Sequence, residues 1–137
     1  MAYQGFLIKV GSFVITGESI INMESYQAAI EVQDLDPFRS ADGILHRNAL
    51  EHTALHVVVS TRQGVTGEEM AAFFGNIRAN FTIPIERKAN VTAYIPEYND
   101  YVTQACYMPT PEPIIRVIDP RTNEVKYNSF QLEWIGY

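Results

Sequence analysis

The residues most able to carry chemistry in this chain are one cysteine, three histidines and a scatter of acids. Cys106 has no partner within the chain, so an intrachain disulfide is excluded and a free thiol fits a reducing compartment. A nucleophilic cysteine needs a neighbour that stabilises its thiolate. Cys106 instead lies in the alternating stretch Val102 to Tyr107, where a small buried residue is expected. His46, His52 and His56 raise the question of a metal. On a strand, His52 and His56 share a face but stand about 13 Å apart at ~3.3 Å per residue, and zinc–nitrogen bonds of about 2 Å do not span that gap. A helix would bring them together, yet Leu55-His56-Val57-Val58-Val59-Ser60-Thr61 is too β-branched for one. Asp34, Asp36 and Asp42 crowd one segment without the ligand spacing or closing Glu of a calcium loop. Glu68 and Glu69 fall in a first helical turn, where they complement the helix dipole. A glycine-rich phosphate loop, a Gly-x-Ser-x-Gly elbow and a Cys-x-x-Cys pair are all missing from the sequence. The expectation is a protein that is not an enzyme and holds neither cofactor nor metal.

The elements around these residues are mostly strands. Phe6, Ile8 and Val10 alternate with Leu7 and Lys9, Gly11-Ser12 makes a two-residue turn, and Phe13-Val14-Ile15 returns. Ser25 to Val32 reads as a strand with Tyr26, Ala28, Ile30 and Val32 on one face. Glu51 to Thr61 reads as another, with Leu55, Val57 and Val59 together. One helix is expected over 66–81. Thr66 and Glu69 have the spacing of a capping box, and Met70, Phe73, Phe74, Ile77 and Phe81 form an apolar stripe. Gly75 on that helix costs about 1 kcal/mol relative to Ala. After Pro84 the chain returns to strands: Ala89 to Ile95, then Val102 to Tyr107 beyond a turn at Glu97 to Asp100. Pro109, Pro111 and Pro113 stiffen a connector into Ile114 to Ile118, and Val125 to Tyr137 closes the chain with Phe130, Leu132 and Trp134 on one face. The aromatic and apolar ending is expected to be held in a sheet.

Between the third and fourth strands lies a long connection, 33–50, with Pro37, the turn pair Asp42-Gly43 and little periodicity. Connections of that length are functional or disordered. Leu35, Phe38, Ile44 and Leu45 argue against disorder, so it reads as an ordered excursion that docks on something. These parts give a mainly β fold with one α-helix: a β-sandwich or partly open barrel, in a single domain over 1–137.

The chain has 137 residues, of which 47% are hydrophobic and 19% charged, an ordinary globular balance. No stretch approaches the ~20 apolar residues of a membrane span. The start, MAYQGFLIKVG, has no basic segment leading into a long apolar one, so a cytoplasmic site of synthesis is expected. A net charge of −6 with ten scattered basic residues excludes tight nucleic-acid binding and still allows a surface that DNA slides past. Tyrosines 94, 98, 101, 107, 127 and 137 read either as core and edge packing or as contact surface.

The stretch QDLDPFRSADGILHRNALEH (33–52), with ERKANVTAYIPEYNDYVTQACYMP (86–109), FQLEWIGY (130–137) and the opening FLIKVGSFVIT, resembles a family of small proteins from the tail-gene clusters of tailed phages and prophages of Gram-positive bacteria. The order of elements also resembles the tail-tube fold of tail-tube, distal-tail and baseplate-hub proteins. That resemblance implies a structural protein of the virion, forming a homo-hexameric ring whose long loop reaches a neighbouring subunit and whose channel passes DNA without binding it. Implied partners are further copies of the chain and other tail proteins (tube, tape measure, hub), with no membrane. The expected subunit contacts are Leu35, Phe38, Arg39, Leu45, His46 and Arg47 in the long loop, with Tyr98 and Tyr101 at a hairpin tip. A tail-terminator or connector ring, and a monomeric carbohydrate-binding module of the host surface, are the alternatives.

Overall fold

The computed structural model describes residues 3–16, 20–34 and 37–137. Strands β1 (Ile8–Val10) and β2 (Phe13–Ile15) form the opening hairpin, in register Val10↔Phe13. Gly11 takes φ +59 in its turn, and a Cβ there would lie 2.5 Å from Asn80 Oδ1. That same oxygen accepts hydrogen bonds from the Ser12 backbone N–H and hydroxyl, both 3.0 Å. Glycine is thus required on two counts, the left-handed conformation and the close approach.

Two long strands follow, β3 (Ile21–Asp34) and β6 (Ala49–Thr61), with the two-residue strands β4 (Phe38–Arg39) and β5 (Leu45–His46) between them. β7 (Val65–Thr66) leads directly into α1 (Gly67–Ala79). A short 3-10 turn at Pro84–Glu86 precedes β8 (Lys88–Ile95) and β9 (Asp100–Tyr107), then come β10 (Ile115–Ile118), β11 (Val125–Tyr127) and β12 (Gln131–Gly136).

Seven strands make one sheet in the order β2-β1-β8-β9-β12-β6-β3, a second sheet runs β10-β11-β7, and β4 pairs with β5 alone. The fold is mainly β with one helix, and its sheets are open. The large sheet coils back on itself: β3 departs from its register with β6 between Asn22 and Gln27, and Tyr26 in that irregular stretch donates its hydroxyl to Tyr94 O on β8 at 2.6 Å. Burial raises the Tyr26 pKa, so the phenol stays a donor. The result is an open-sheeted, sandwich-like β fold, in line with the expected mainly β architecture.

One face of this sheet and the apolar stripe of α1 enclose the core. Ile8, Val10, Leu55, Val57, Val59, Ile77, Val91 and Ile95 have no exposed surface, and each such side chain contributes about 1.5–3 kcal/mol by leaving water. Phe73 meets Phe13 edge-on at 5.7 Å, and Phe74 lies 6.3 Å from Phe130. The helix starts where expected: the Thr66 hydroxyl accepts from Glu69 N at 3.3 Å, and the Glu69 carboxylate reaches back to Thr66 N at 3.4 Å. It stops at Ala79 rather than 81, because Asn80 leaves the helical path to hold the opening hairpin; Phe81 still packs against the core, half-buried, with the Arg87 guanidinium 5.1 Å from its ring.

The segment 33–50 differs from an aperiodic loop. β3 extends to Asp34 and β6 begins at Ala49, so most of the excursion is a protruding two-stranded arm tipped by the β4–β5 hairpin. Ala28, Ile30 and Tyr26 pack against the core as their alternation predicts, whereas Val32, farther along the same face, is exposed because the arm has left the body of the sheet.

Candidate subunit interface

The β4–β5 tip is organised by short-range hydrogen bonds. Ser40 N donates to Ile44 O and Gly43 N to Ser40 O, both at 2.9 Å, with Gly43 at φ +85. The Asp42 carboxylate accepts from the Ser40 hydroxyl and from Ile44 N, and these bonds hold its pKa below the usual range. The Asp-Gly pair therefore does the turn-making that its composition implies. In register across the tip, Phe38 faces His46 and Arg39 faces Leu45. The Phe38 and His46 rings stack at 4.8 Å with 10° between planes. Arg39 donates to Gly43 O at 3.0 Å. Arg47 clamps Asp34 through Nε and Nη2, both on Oδ2, at 3.1 and 3.0 Å, tying the base of the tip.

The tip is nonetheless uncovered: Phe38 is 56% and Leu45 44% exposed, with Ile44 and Leu50 equally open. Of the expected contact residues, the arm gathers Phe38, Arg39, Leu45, His46 and Arg47. Leu35, like Asp36, lies outside the described residues. Tyr98 and Tyr101 belong to a separate element, the β8–β9 hairpin. Tyr98 stands exposed at its tip. Tyr101 is engaged within its own chain: its hydroxyl donates to Phe6 O and accepts from Gln4 N, each 2.8 Å, and its ring lies 4.7 Å from that of Phe6. By strand register, Asp100 at the base of that hairpin stands level with Ala49 on β6, so both projections emerge at one end of the sheet.

The residues weighed for chemistry have structural occupations. Cys106 is buried, and burial pushes its thiol up to about 12. His52 Nε2 meets the Tyr137 carbonyl. His56 sits between two carboxylates, Nδ1 at 3.0 Å from Glu31 and Nε2 at 2.7 Å from Glu133. Partial desolvation opposes its charge, but these hydrogen bonds prevail and raise its pKa. Among the described residues, no three His, Cys, Asp or Glu side chains gather closely enough to hold a metal ion. No helix there is long and apolar enough to cross a membrane. The cleft beside the helix start, lined by Thr66, Gly67, Glu68 and 122–125, contains neither histidine nor cysteine.

Two features escape a reading of the sequence. Gln104 stitches the large sheet where β12 runs out: its Oε1 accepts from Leu55 N at 2.6 Å and its Nε2 donates to Thr53 O at 2.9 Å. Only a side chain that both donates and accepts can replace a missing strand in this way. The other concerns β10: the short strand expected over Ile114 to Ile118 is present, and its apolar residues are all exposed.

No curated protein matches this chain. Among solved structures, it is similar to a chain from the tail of an empty GTA particle, computed with helical refinement and C6 symmetry. The TM-score is 0.50 at 13% identity, covering 99% of this chain and 95% of that one. It also matches a chain of the virion of a native gene transfer agent particle, with TM-score 0.44 and 13% identity over 97% and 91% of the two chains. The first likeness is one of fold, and the second carries no argument beyond it. Over residues 1–137 the chain matches the family of unknown function designated DUF6711, and it belongs to that family.

Proposed function

We propose that this protein is a structural component of a phage-like tail, of the distal-tail, baseplate-hub or tail-tube type. In this reading residues 1–137 act as one unit that assembles into a homo-hexameric ring in the virion. The projecting arm supports it most directly. Phe38, Ile44 and Leu45 are ordered by the tip's own hydrogen bonds yet remain open to water, an arrangement that favours a protein surface arriving to cover them. The fold shared with a chain of a C6-symmetric particle tail agrees with a ring. So does the like sign of a −6 chain and DNA, whose mutual repulsion suits a channel through which DNA passes unbound. Other tail proteins are the remaining partners, stacked above and below.

Light scattering coupled to gel filtration tests the ring. The expected result is a concentration-dependent oligomer with six-fold class averages by electron microscopy, lost in Leu45→Asp. A strictly monomeric chain at millimolar concentration, with the arm held against its own subunit, would overturn the proposal. Glycan binding by that monomer, abolished by Tyr98→Ala, would put a host-surface module in its place.

A further inference from the structure

The ring reading leaves open what the arm meets on the neighbouring copy. We infer that the outer edge of β10 in one copy pairs with the outer edge of β3, along the arm, in the next.

Both strands are sheet ends. β10 closes the order β10-β11-β7 and β3 closes the seven-stranded order, so each presents one unpaired row of backbone donors and acceptors. β10 is also apolar on both faces while fully uncovered: Ile115, Val117 and Ile118 are 52%, 49% and 51% exposed, and Ile114 before it 58%. A strand with one solvated face ordinarily alternates with polar residues, whereas apolar residues on both faces mark a strand covered on both sides. The prolines at 109, 111 and 113 that blunt edges stop short of it.

Charge selects the partner. β3 carries Glu24, Glu31 and Asp34 and no basic residue, with Glu31 met by His56 and Asp34 by Arg47 from within the chain, whereas the one charge on β10 is Arg116. Pairing β3 with β3 of another copy sets acids against acids, and pairing β10 with β10 sets Arg116 against its twin. Only β10 against β3 joins opposite signs. Exposed Val32 on β3 adds apolar surface to meet Val117. Two different edges on one chain make a head-to-tail contact, which closes into a ring when the rotation permits.

The test mixes Val117→Cys protein with Val32→Cys protein under mild oxidation, with Cys106 buried and unreactive in both. Disulfide-linked dimers should form between the two variants and greatly exceed those within either alone. In parallel, Val117→Asp should raise the concentration of half-assembly at least about tenfold, equivalent to ~1.4 kcal/mol per contact, with an unchanged circular dichroism spectrum. Arg116→Glu should weaken assembly in the same direction. An oligomer that survives Val117→Asp and Arg116→Glu, or that crosslinks like with like, overturns this pairing and leaves the ring standing. A wild-type chain that never associates overturns both.

Discussion

Two strands, β3 and β6, run from the body of the large sheet into its arm, yet the two regions obey opposite rules. Within the body, Leu55, Val57 and Val59 on β6 have no exposed surface and share one core with the apolar stripe of α1. A few residues toward the arm, Leu50 on β6 and Val32 on β3 are about half exposed. The backbone ladder continues through both, so hydrogen bonding alone does not distinguish them. The difference lies in what sits opposite: the core covers one part, and among the described residues nothing covers the other. An element can be locally well formed and still be half of a packed structure.

Substitutions in the body and the arm should therefore separate stability from assembly. The largest effect is expected for Ile77→Ala, which leaves a cavity beneath the helix and should cost about 2–5 kcal/mol by chemical denaturation. Next comes Gln104→Leu, which strands the Leu55 N–H beneath a side chain that cannot accept, at about 1–3 kcal/mol. Thr66→Ala removes one side of the capping box and should cost about 1 kcal/mol, read as a lower Tm.

His56 gives a pH-dependent term. Its folded pKa is raised, so its contribution is fully present below the ordinary histidine value near 6.5 and fades as pH climbs through the raised value. The wild-type Tm advantage over His56→Gln should therefore be larger at pH 5.5 than at pH 8.5. An equal advantage at both would mean the Glu31 and Glu133 contacts do not hold a charged ring. The smallest stability effect belongs to the arm: Phe38→Ala and Leu45→Ala should change unfolding by less than about 0.5 kcal/mol. A large loss there would show that the arm already packs on its own subunit and would erase the contrast.

Much of the body is legible in the sequence, because its strands alternate strictly where one face is buried. Val57 and Val59, Val91 and Ala93, and the helical stripe from Met70 to Ile77 announce both element and face. Thr66 and Glu69 announce the helix start by spacing alone. The arm is less legible, since Pro37 and Asp42-Gly43 interrupt any period and a strand uncovered on both faces has no reason to alternate. β10 is legible as a short strand, but its exposure is not, because Ile-Ile-x-Val-Ile gives no sign of whether anything covers it. Gln104 is invisible because its role depends on where β12 runs out relative to β6, a matter of register between distant segments. Of the expected contact residues, Phe38 and Leu45 stand exposed on the arm. Tyr101, expected at a hairpin tip, is engaged within its own chain, which its local sequence does not reveal because Gln4 and Phe6 come from the other end of the chain.

Thr66 serves two masters: it ends β7, paired with Lys126 on β11, and its hydroxyl begins the helix. A load applied at β10 would pass to β11, then to β7, whose Val65 is buried in the core and whose Thr66 begins the helix. Mechanically, this two-residue strand is a fuse, the place where a tug on the outer hairpin would either be relayed to the helix and core or let the hairpin peel away.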